Sequence, residues 1–147
     1  MLTETIQRLQ QICDTVPGKL KRYSDEELSR KDAPGKWSKK ELLGHLIDSA
    51  TNNHQRFVRA QFENVPTITY DQNEWNRCSG YQKMDAKHLI AFWEIYNRHL
   101  LAVIKVMPKE ALERKCNADA SEPVTLGYLI DDYLRHVEHH LEQMGMG

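Results

Sequence analysis

Apolar residues recur at every third or fourth position in four separate stretches of the chain. That spacing puts the apolar side chains on one face of a helix, so each stretch predicts an amphipathic helix. In the first stretch the pattern is disturbed at Pro17 and Gly18, where we expect the helix to end or to kink. The apolar positions of this first helix are Leu2, Ile6, Leu9, Ile12 and Val16.

The second helix has the clearest start signal. Ser38 can cap the backbone amide of Glu41, whose side chain can reach back to Ser38, and this is the capping box of a helix N-terminus. Trp37 precedes the cap as a candidate hydrophobic staple. The helix should reach about Phe62 and end before Pro66. Its apolar positions are Leu42, Leu43, Leu46, Ile47, Ala50, Phe57 and Val58.

Two further helices follow. Asp85 is a candidate N-cap for the third helix, which Pro108 should stop. Thr125 is a candidate N-cap for the last helix, which Gly145 and Gly147 should terminate. The apolar positions are Leu89, Phe92, Trp93, Tyr96, Leu100, Val103, Ile104 and Met107 in the third helix, and Leu126, Leu129, Ile130, Tyr133, Leu134, Val137 and Leu141 in the last.

The segment 64–83 lacks this period, and we interpret it as a loop. It mixes turn-forming residues such as Pro66 and Gly80 with the aromatic residues Tyr70 and Trp75. A polar loop of this length either supplies ligand contacts or packs over the helices, and the sequence leaves both possibilities open.

Four helices without a convincing strand predict an all-α fold. The expected architecture is a four-helix bundle, because each amphipathic stripe must be covered by other helices. The length of 147 residues is typical of one domain, so we expect a single domain over residues 1–147.

The charge balance argues against nucleic acid or an anionic membrane as the main partner. Lysine and arginine number 20 and aspartate and glutamate 21, a formal charge of -1. A small-molecule substrate is the better expectation. The chain also shows no secretory signal and no apolar stretch of roughly 20 residues, so we expect no membrane contact and a cytoplasmic location. Cys13, Cys78 and Cys116 lie too far apart for a metal or redox motif.

Histidines carry the strongest chemical signal. His136 and His140 are four residues apart on the last helix, so they share one face and can converge on one point. Both lie among core-facing residues, where an imidazole needs a partner. Neutral imidazole is a common ligand of divalent metals, and His45, on the second helix among leucines, is the best candidate for a third ligand.

The remaining histidines fit less well. His54, His88 and His99 lack a comparable setting, and His139 points about 100° away from His140 around the helix. The spacing is not that of the zincin motif, because Glu138 stands two residues after His136 and off the chelating face. The sequence therefore offers a chelating set without a built-in glutamate base.

Several polar residues can support the three histidines. Asp48 and Asn52 follow His45 at one-turn intervals, and a solvated helix face is the alternative explanation for both. Asp132, four residues before His136, is a candidate acceptor for its second ring N–H, and Gln143 has similar standing toward His140. An ordinary surface position explains Asp132 equally well.

Two segments resemble the signatures of the DinB/YfiT-like superfamily. They are G-K-W-S-K-K-E-L-L-G-H-L-I-D-S and D-D-Y-L-R-H-V-E-H-H-L-E-Q. The resemblance covers nearly the whole chain and implies that His45, His136 and His140 are the metal ligands. It also implies a bundle with an up-down-down-up arrangement and a homodimer.

Characterised proteins of that superfamily include metal-dependent transferases and isomerases that use low-molecular-weight thiols such as bacillithiol, mycothiol or glutathione. Many others are named only as hydrolases, so the resemblance implies the scaffold more firmly than the reaction. Our first hypothesis is thiol transfer at a divalent metal, with Asp48 and Asn52 as candidate catalytic residues that position the thiolate. Arg56, Tyr70 and Trp75 are the candidate residues for binding the thiol cofactor. Zinc or nickel is the expected metal, and iron, copper or manganese remain open.

Two alternatives keep the same metal. In one, the protein is a metal-dependent hydrolase with Asp48 as a candidate base. In the other, it is a non-enzymatic helical dimer in which the metal staples the helices together.

Overall fold

The computed structural model describes residues 2–146, and these form the expected all-α four-helix bundle. The α-helices are α1 Leu2–Leu20, α2 Asp25–Ser29, α3 Lys39–Arg59, α4 Gln72–Ser79, α5 Ala86–Lys105 and α6 Leu126–Gln143. Short 3-10 helices span Tyr81–Lys83 and Lys109–Glu113, and two short strands are β1 Lys115–Cys116 and β2 Val124–Thr125.

Helices α1, α3, α5 and α6 form the bundle. Helix α3 packs against α5 and α6, and α1 packs against the same two helices. Their apolar faces meet in one cluster of buried residues that includes Trp93 and Phe57. That a single domain spans residues 1–147 stays a prediction. Among residues 2–146, no helix is long and apolar enough to cross a membrane.

The three helix start signals are confirmed. The Ser38 side chain accepts from the amide of Glu41, and the Glu41 side chain accepts from the amide of Ser38, which completes the capping box. Asp85 caps α5, and Thr125 accepts from the amide of Tyr128 at the start of α6. The first turn of each bundle helix after α1 is thus fixed by its own sequence.

Helix α1 does not end at Pro17 but continues to Leu20. Proline cannot donate a hydrogen bond to the carbonyl four residues earlier, which is that of Cys13. Nη2 of Arg98 donates to this carbonyl at 3.1 Å instead, so the missing bond is replaced by one from α5. The C-terminal end of the second predicted helix differs less from the prediction: this helix, α3, stops at Arg59 rather than near Phe62.

The interpretation of residues 64–83 as a loop is wrong for about half of them, because this segment contains α4 and a 3-10 helix. Asp71 caps helix α4, and Gly80 with φ 71° separates α4 from the 3-10 helix that follows. Only Asn76 of α4 is buried, so the helix has no apolar stripe that periodicity could detect.

The all-α prediction is confirmed, and the structure adds one small sheet that the sequence did not reveal. Strands β1 and β2 pair antiparallel, with Lys115 opposite Thr125, just before α6. Each strand has two residues, which is too short to show an alternating pattern. Of the two glycines expected to end α6, Gly145 follows its C-cap with φ 80°, and Gly147 lies outside the described residues.

Candidate metal centre

Helices α3 and α6 bring three histidines to one point of the bundle. His45 lies inside the capped start of α3 and is only 1% exposed. His136 and His140 lie on the face of α6 that packs against α3, and both are partly buried. The four-residue spacing places one above the other, as expected for an α-helix.

The three Nε2 atoms converge. Nε2 of His136 lies 3.0 Å from that of His45 and 3.1 Å from that of His140. One ligand atom from each residue lies within 4.8 Å of the others, and this is the one such cluster of histidine, cysteine and acidic residues found within residues 2–146. The three side chains that the sequence analysis selected as ligands are thus the ones that converge here, and their binding of a metal stays a prediction.

Polar neighbours orient two of the rings. Oε1 of Gln143 lies 2.7 Å from Nδ1 of His140, and Oγ of Ser49 lies 3.4 Å from Nδ1 of His136. With Oε1 of Gln143 as the acceptor, the tautomer that fits this contact carries its proton on Nδ1 of His140 and keeps a free lone pair on Nε2. Nδ1 of His45 is buried without a hydrogen-bond partner among the described residues.

Asp132 does not occupy the position expected of it. Ser49, not Asp132, lies beside Nδ1 of His136. Asp132 is exposed and pairs with Arg135 at 3.4 Å, although its charge acts to raise the pKa of His136. Sequence spacing within α6 could not reveal Ser49, because it comes from the facing helix.

Burial keeps the imidazoles neutral. It lowers the pKa of His45 to about 3 and that of His136 to about 4, and the neighbouring histidines add to both effects. Burial also lowers the pKa of His140. Neutral imidazole is the form that binds metal, so the three lone pairs are available at neutral pH.

The donor set fits a divalent ion. Two nitrogens that share one ion at about 2.1 Å lie at most about 4.2 Å apart, and both neighbouring Nε2 pairs are well within that limit. Three imidazoles suit zinc, nickel, copper and iron, and they leave coordination positions open for water or substrate.

Asp48 and Asn52 are buried but bond to other groups. The Tyr81 hydroxyl donates to Oδ1 of Asp48, and Oδ2 of Asp48 has no hydrogen-bond partner among the described residues. Burial raises the pKa of Asp48 to about 6. The Asn52 amide donates to the backbone carbonyl of Asp48 at 2.9 Å. Their catalytic roles stay predictions.

Tyr81 and Gly44 form a contact that sequence reasoning missed. A Cβ atom on Gly44 would lie 2.1 Å from Cδ2 of Tyr81, so the absent side chain makes room for the tyrosine ring. The ring packs on α3 one turn before Asp48, to which its hydroxyl is bonded. A glycine inside the best-formed helix was the only available signal, because glycine disfavours helix and often marks a close contact.

A polar cavity of about 140 Å³ adjoins the cluster. His136 lines it, and so do Arg56 and Tyr70, two of the residues expected to bind a thiol cofactor. Trp75 does not line it; it is 41% exposed and contacts the ring of Tyr70 at 5.7 Å. The other lining residues are Ser49, Asn53, Gln72, Asp119, Asp132 and Tyr133.

The other histidines do not join the cluster of three Nε2 atoms. The ring of His54 contacts those of Tyr96 and His99, and Nδ1 of His54 lies 2.8 Å from the Tyr96 hydroxyl oxygen. His139 is exposed and touches the cluster only through the edge of His140. His139 is thus a natural control for the three clustered residues.

Comparison with known proteins identifies a superfamily and relatives that are provisionally named as metal-dependent. The model of the DinB superfamily matches residues 1–144. YfiT of Bacillus subtilis, provisionally named a metal-dependent hydrolase, is 26% identical over 137 residues, which cover 89% of this chain and 77% of YfiT. A protein of Oceanobacillus iheyensis with the same provisional name is 25% identical over 119 residues, 80% of this chain and 68% of that protein.

Solved structures share the fold. The structure of YfiT, described as a four-helix bundle of unusual topology, matches with a TM-score of 0.70 and 22% identity over 97% of this chain and 89% of that one. A mycothiol-dependent maleylpyruvate isomerase matches with a TM-score of 0.78 and 13% identity, over 96% of this chain and 60% of that one.

Proposed function

The chain belongs to the DinB superfamily, and we propose that it is a metal-dependent enzyme whose divalent ion is held by His45, His136 and His140. The observation that carries this proposal is the convergence of three Nε2 atoms from two helices. Three neutral histidines facing one another inside a protein leave lone pairs unused, and a bound cation explains their arrangement.

Thiol transfer is the reaction we favour. A divalent ion lowers the pKa of a thiol that binds to it and so supplies a thiolate at neutral pH. The chain itself fixes the rings of His136 and His140 through Ser49 and Gln143. Arg56 and Tyr70 line the adjoining cavity, where they can hold an acidic group of a small molecule, and Trp75 contacts the ring of Tyr70 from outside. A role of these three residues in binding the thiol stays a prediction.

The position of Asp48 argues against hydrolysis with that residue as the base, and so favours thiol transfer. A thiol activated by a metal needs no strong protein base, whereas attack by water is assisted by one. Asp48, the base considered from the sequence, is bonded to Tyr81 instead of lining the cavity. The structural similarity to a mycothiol-dependent isomerase agrees with a thiol cofactor, although that similarity shows the fold alone.

Hydrolysis is the second candidate. The curated relatives are provisionally named metal-dependent hydrolases. Asp132 lines the same cavity as His136 and precedes it by four residues on α6, so it can serve as a base toward water. On this alternative the catalytic carboxylate is Asp132, and Asp48 keeps Tyr81 in place.

Turnover assays distinguish these reactions. The protein is stripped of metal, reloaded separately with zinc or nickel, and supplied with an aryl halide or a p-nitrophenyl ester, each with and without glutathione, bacillithiol or mycothiol. Thiol-dependent release of halide that disappears in His136→Ala supports transfer, and thiol-independent ester cleavage supports hydrolysis. No turnover with any pair, together with a higher melting temperature on metal loading, supports the metal-stapled bundle.

The remaining expectations are part of this proposal. A small-molecule substrate, a homodimer and a cytoplasmic location stay predictions, and sedimentation of the purified protein measures the oligomeric state. The choice between zinc, nickel, iron, copper and manganese depends on affinity and supply, because three imidazoles accept each of them to a different degree.

A further inference from the structure

We infer that the cavity beside His136 binds a carboxylate group of the substrate at Arg56, and that this group displaces Asp119. The inference rests on the proposed function, because it places the acidic end of a substrate whose other end reacts near the three histidines. It adds a substrate class, a small molecule with a free carboxylate, that the metal ligands alone do not define.

Arg56 is a preformed anion site. It is only 6% exposed, and two neutral acceptors hold its guanidinium: Nε donates to the carbonyl of Ile68 at 2.9 Å, and Nη1 to Oδ1 of Asn53 at 3.4 Å. The ring of Tyr70 lies 5.9 Å from its Cζ atom. A planar guanidinium fixed in this way is suited to bind a carboxylate through two parallel hydrogen bonds.

The present anionic partner of Arg56 is weakly held. Among the described residues, Asp119 is the carboxylate that pairs with Arg56, at 3.3 Å from Nη2, and its side chain is 61% exposed. It lies in the connection between β1 and β2. The charge of an exposed carboxylate is screened by solvent, so Asp119 adds little to this pair and a ligand can replace it at low cost. Hydrogen bonds therefore hold the buried Arg56 in place more firmly than its exposed partner Asp119.

A row of polar contacts links Arg56 to the histidine cluster. Nη1 of Arg56 contacts Asn53, Nδ2 of Asn53 lies 3.3 Å from Oγ of Ser49, and Ser49 lies beside His136. Ser49 and Arg56 are seven residues apart on α3, about 10 Å along its axis. A substrate bound at Arg56 can thus extend along this row toward His136.

The cavity limits what can bind. Its volume of about 140 Å³ accommodates a short carbon chain with one acidic group. Asp132 also lines the cavity and would repel a second carboxylate. The structure therefore favours one carboxylate at Arg56 and an uncharged or reactive group toward His136.

The test uses the full chain stripped of metal on a chelating resin, so that neither a bound ion nor a soluble chelator competes for the probe. Propionate and its uncharged analogue propionamide are titrated separately while amide shifts are followed by NMR. We expect saturable propionate binding that moves the signals of residues around Arg56, and at least tenfold weaker binding of propionamide. Equal binding of the two probes overturns the inference.

Two matched variants separate displacement from a simple charge effect. Asp119→Asn removes the competing carboxylate and should strengthen propionate binding by up to about fivefold. Asp132→Asn removes the same charge from the cavity rim without touching Arg56, and it should have a smaller effect. Equal gains in both variants, or no gain in Asp119→Asn, overturn the displacement.

Arg56→Lys keeps the charge but loses the two-pronged geometry, and we expect at least fivefold weaker propionate binding. If this variant does not fold, the Asp119→Asn result still decides. Because the titration is free of metal, its failure leaves the three-histidine proposal standing, and loss of that proposal leaves the titration interpretable.

Discussion

Gln143 fixes which nitrogen of His140 faces the cluster. We expect Gln143→Leu to weaken metal binding by about 10–100-fold, because His140 loses the acceptor that holds its Nδ1–H. Competition with a chromophoric chelator at neutral pH measures the affinity. Glu142→Leu, an exposed neighbour on the same helix, is the control and should bind metal as the parent does. Equal loss in both variants would show that the helix end, not the hydrogen bond, matters.

Asp48 is the buried carboxylate with the clearest pH signature. Its pKa of about 6 lies above the value of about 3.8 in the unfolded chain, so between these values the folded state binds more protons and stability falls as pH rises. Asp48→Asn keeps an acceptor for the Tyr81 hydroxyl and removes the buried charge. It should stabilise the metal-free protein by roughly 1–3 kcal/mol at pH 8 and by less at pH 5.

Urea unfolding at both pH values measures this difference. An equal change in the free energy of unfolding at pH 5 and at pH 8 would contradict a protonation effect. If the variant also keeps its turnover within a few-fold of the parent, Asp48 holds Tyr81 in place and is not the catalytic base.

At the scale of elements, Gly44 joins α3 to the segment that carries Tyr81. Gly44→Ala places a methyl group against the tyrosine ring, and we expect a loss of about 2–4 kcal/mol in the free energy of unfolding. Gly127→Ala in α6 is the matched control, because its Cβ would meet the Leu112 carbonyl at an ordinary 3.6 Å. That control should be neutral or stabilising by up to about 1 kcal/mol.

Chemical denaturation of the three proteins checks this prediction. If Gly44→Ala is as stable as Gly127→Ala, the ring of Tyr81 moves freely and does not anchor the 3-10 helix to α3. If Gly44→Ala is destabilised but binds metal as tightly as the parent, the contact between Gly44 and Tyr81 stabilises the fold without affecting the histidine cluster.

The long helices could be predicted from the sequence and the short elements could not. Ser38, Asp85 and Thr125 cap helices whose stripes extend over several turns, so local signals and periodicity agree. Helix α4 has one buried residue, Asn76, so it shows no helical repeat of apolar positions. Strands β1 and β2 have two residues each, so they show no alternation of buried and exposed positions. These elements form because they pack on the bundle, which a local pattern does not encode.

The residues of the candidate site also fall into two groups, those that the sequence identified and those that it did not. His136 and His140 were identifiable because their spacing on one helix fixes their geometry, and His45 because it lies on the apolar face of a capped helix. Ser49 and Asp119 were not identifiable, since they approach His136 and Arg56 from elements distant in sequence. Contacts across the bundle thus determine which groups line the cavity, whereas spacing within α6 and the apolar setting of His45 within α3 were enough to select the three histidines.

For the whole molecule, the histidine cluster makes stability depend on pH. The pKa values of His45 and His136 in the folded state, about 3 and about 4, lie below the unfolded value of 6.5. The unfolded chain therefore binds more protons as pH falls below 6.5, and the metal-free protein should lose roughly 2–4 kcal/mol between pH 7 and pH 5. Urea unfolding at these two pH values tests this.

His45→Gln isolates the contribution of one buried ring. This variant lacks the titrating group of α3, so its stability should change less than that of the parent between pH 7 and pH 5. The same pH dependence in both proteins would attribute the acid sensitivity to other groups and contradict a neutral buried cluster.

A bound ion should also stabilise the whole molecule, because it would join α3 to α6 through His45 and His136, which are 91 residues apart in sequence. The most direct test is elemental analysis of untagged protein beside the variants His45→Ala, His136→Ala and His139→Ala. We predict about one equivalent of a divalent metal in the parent and in His139→Ala, and little in the other two. Equal metal content in all four proteins, or none in any, would contradict the three-histidine centre.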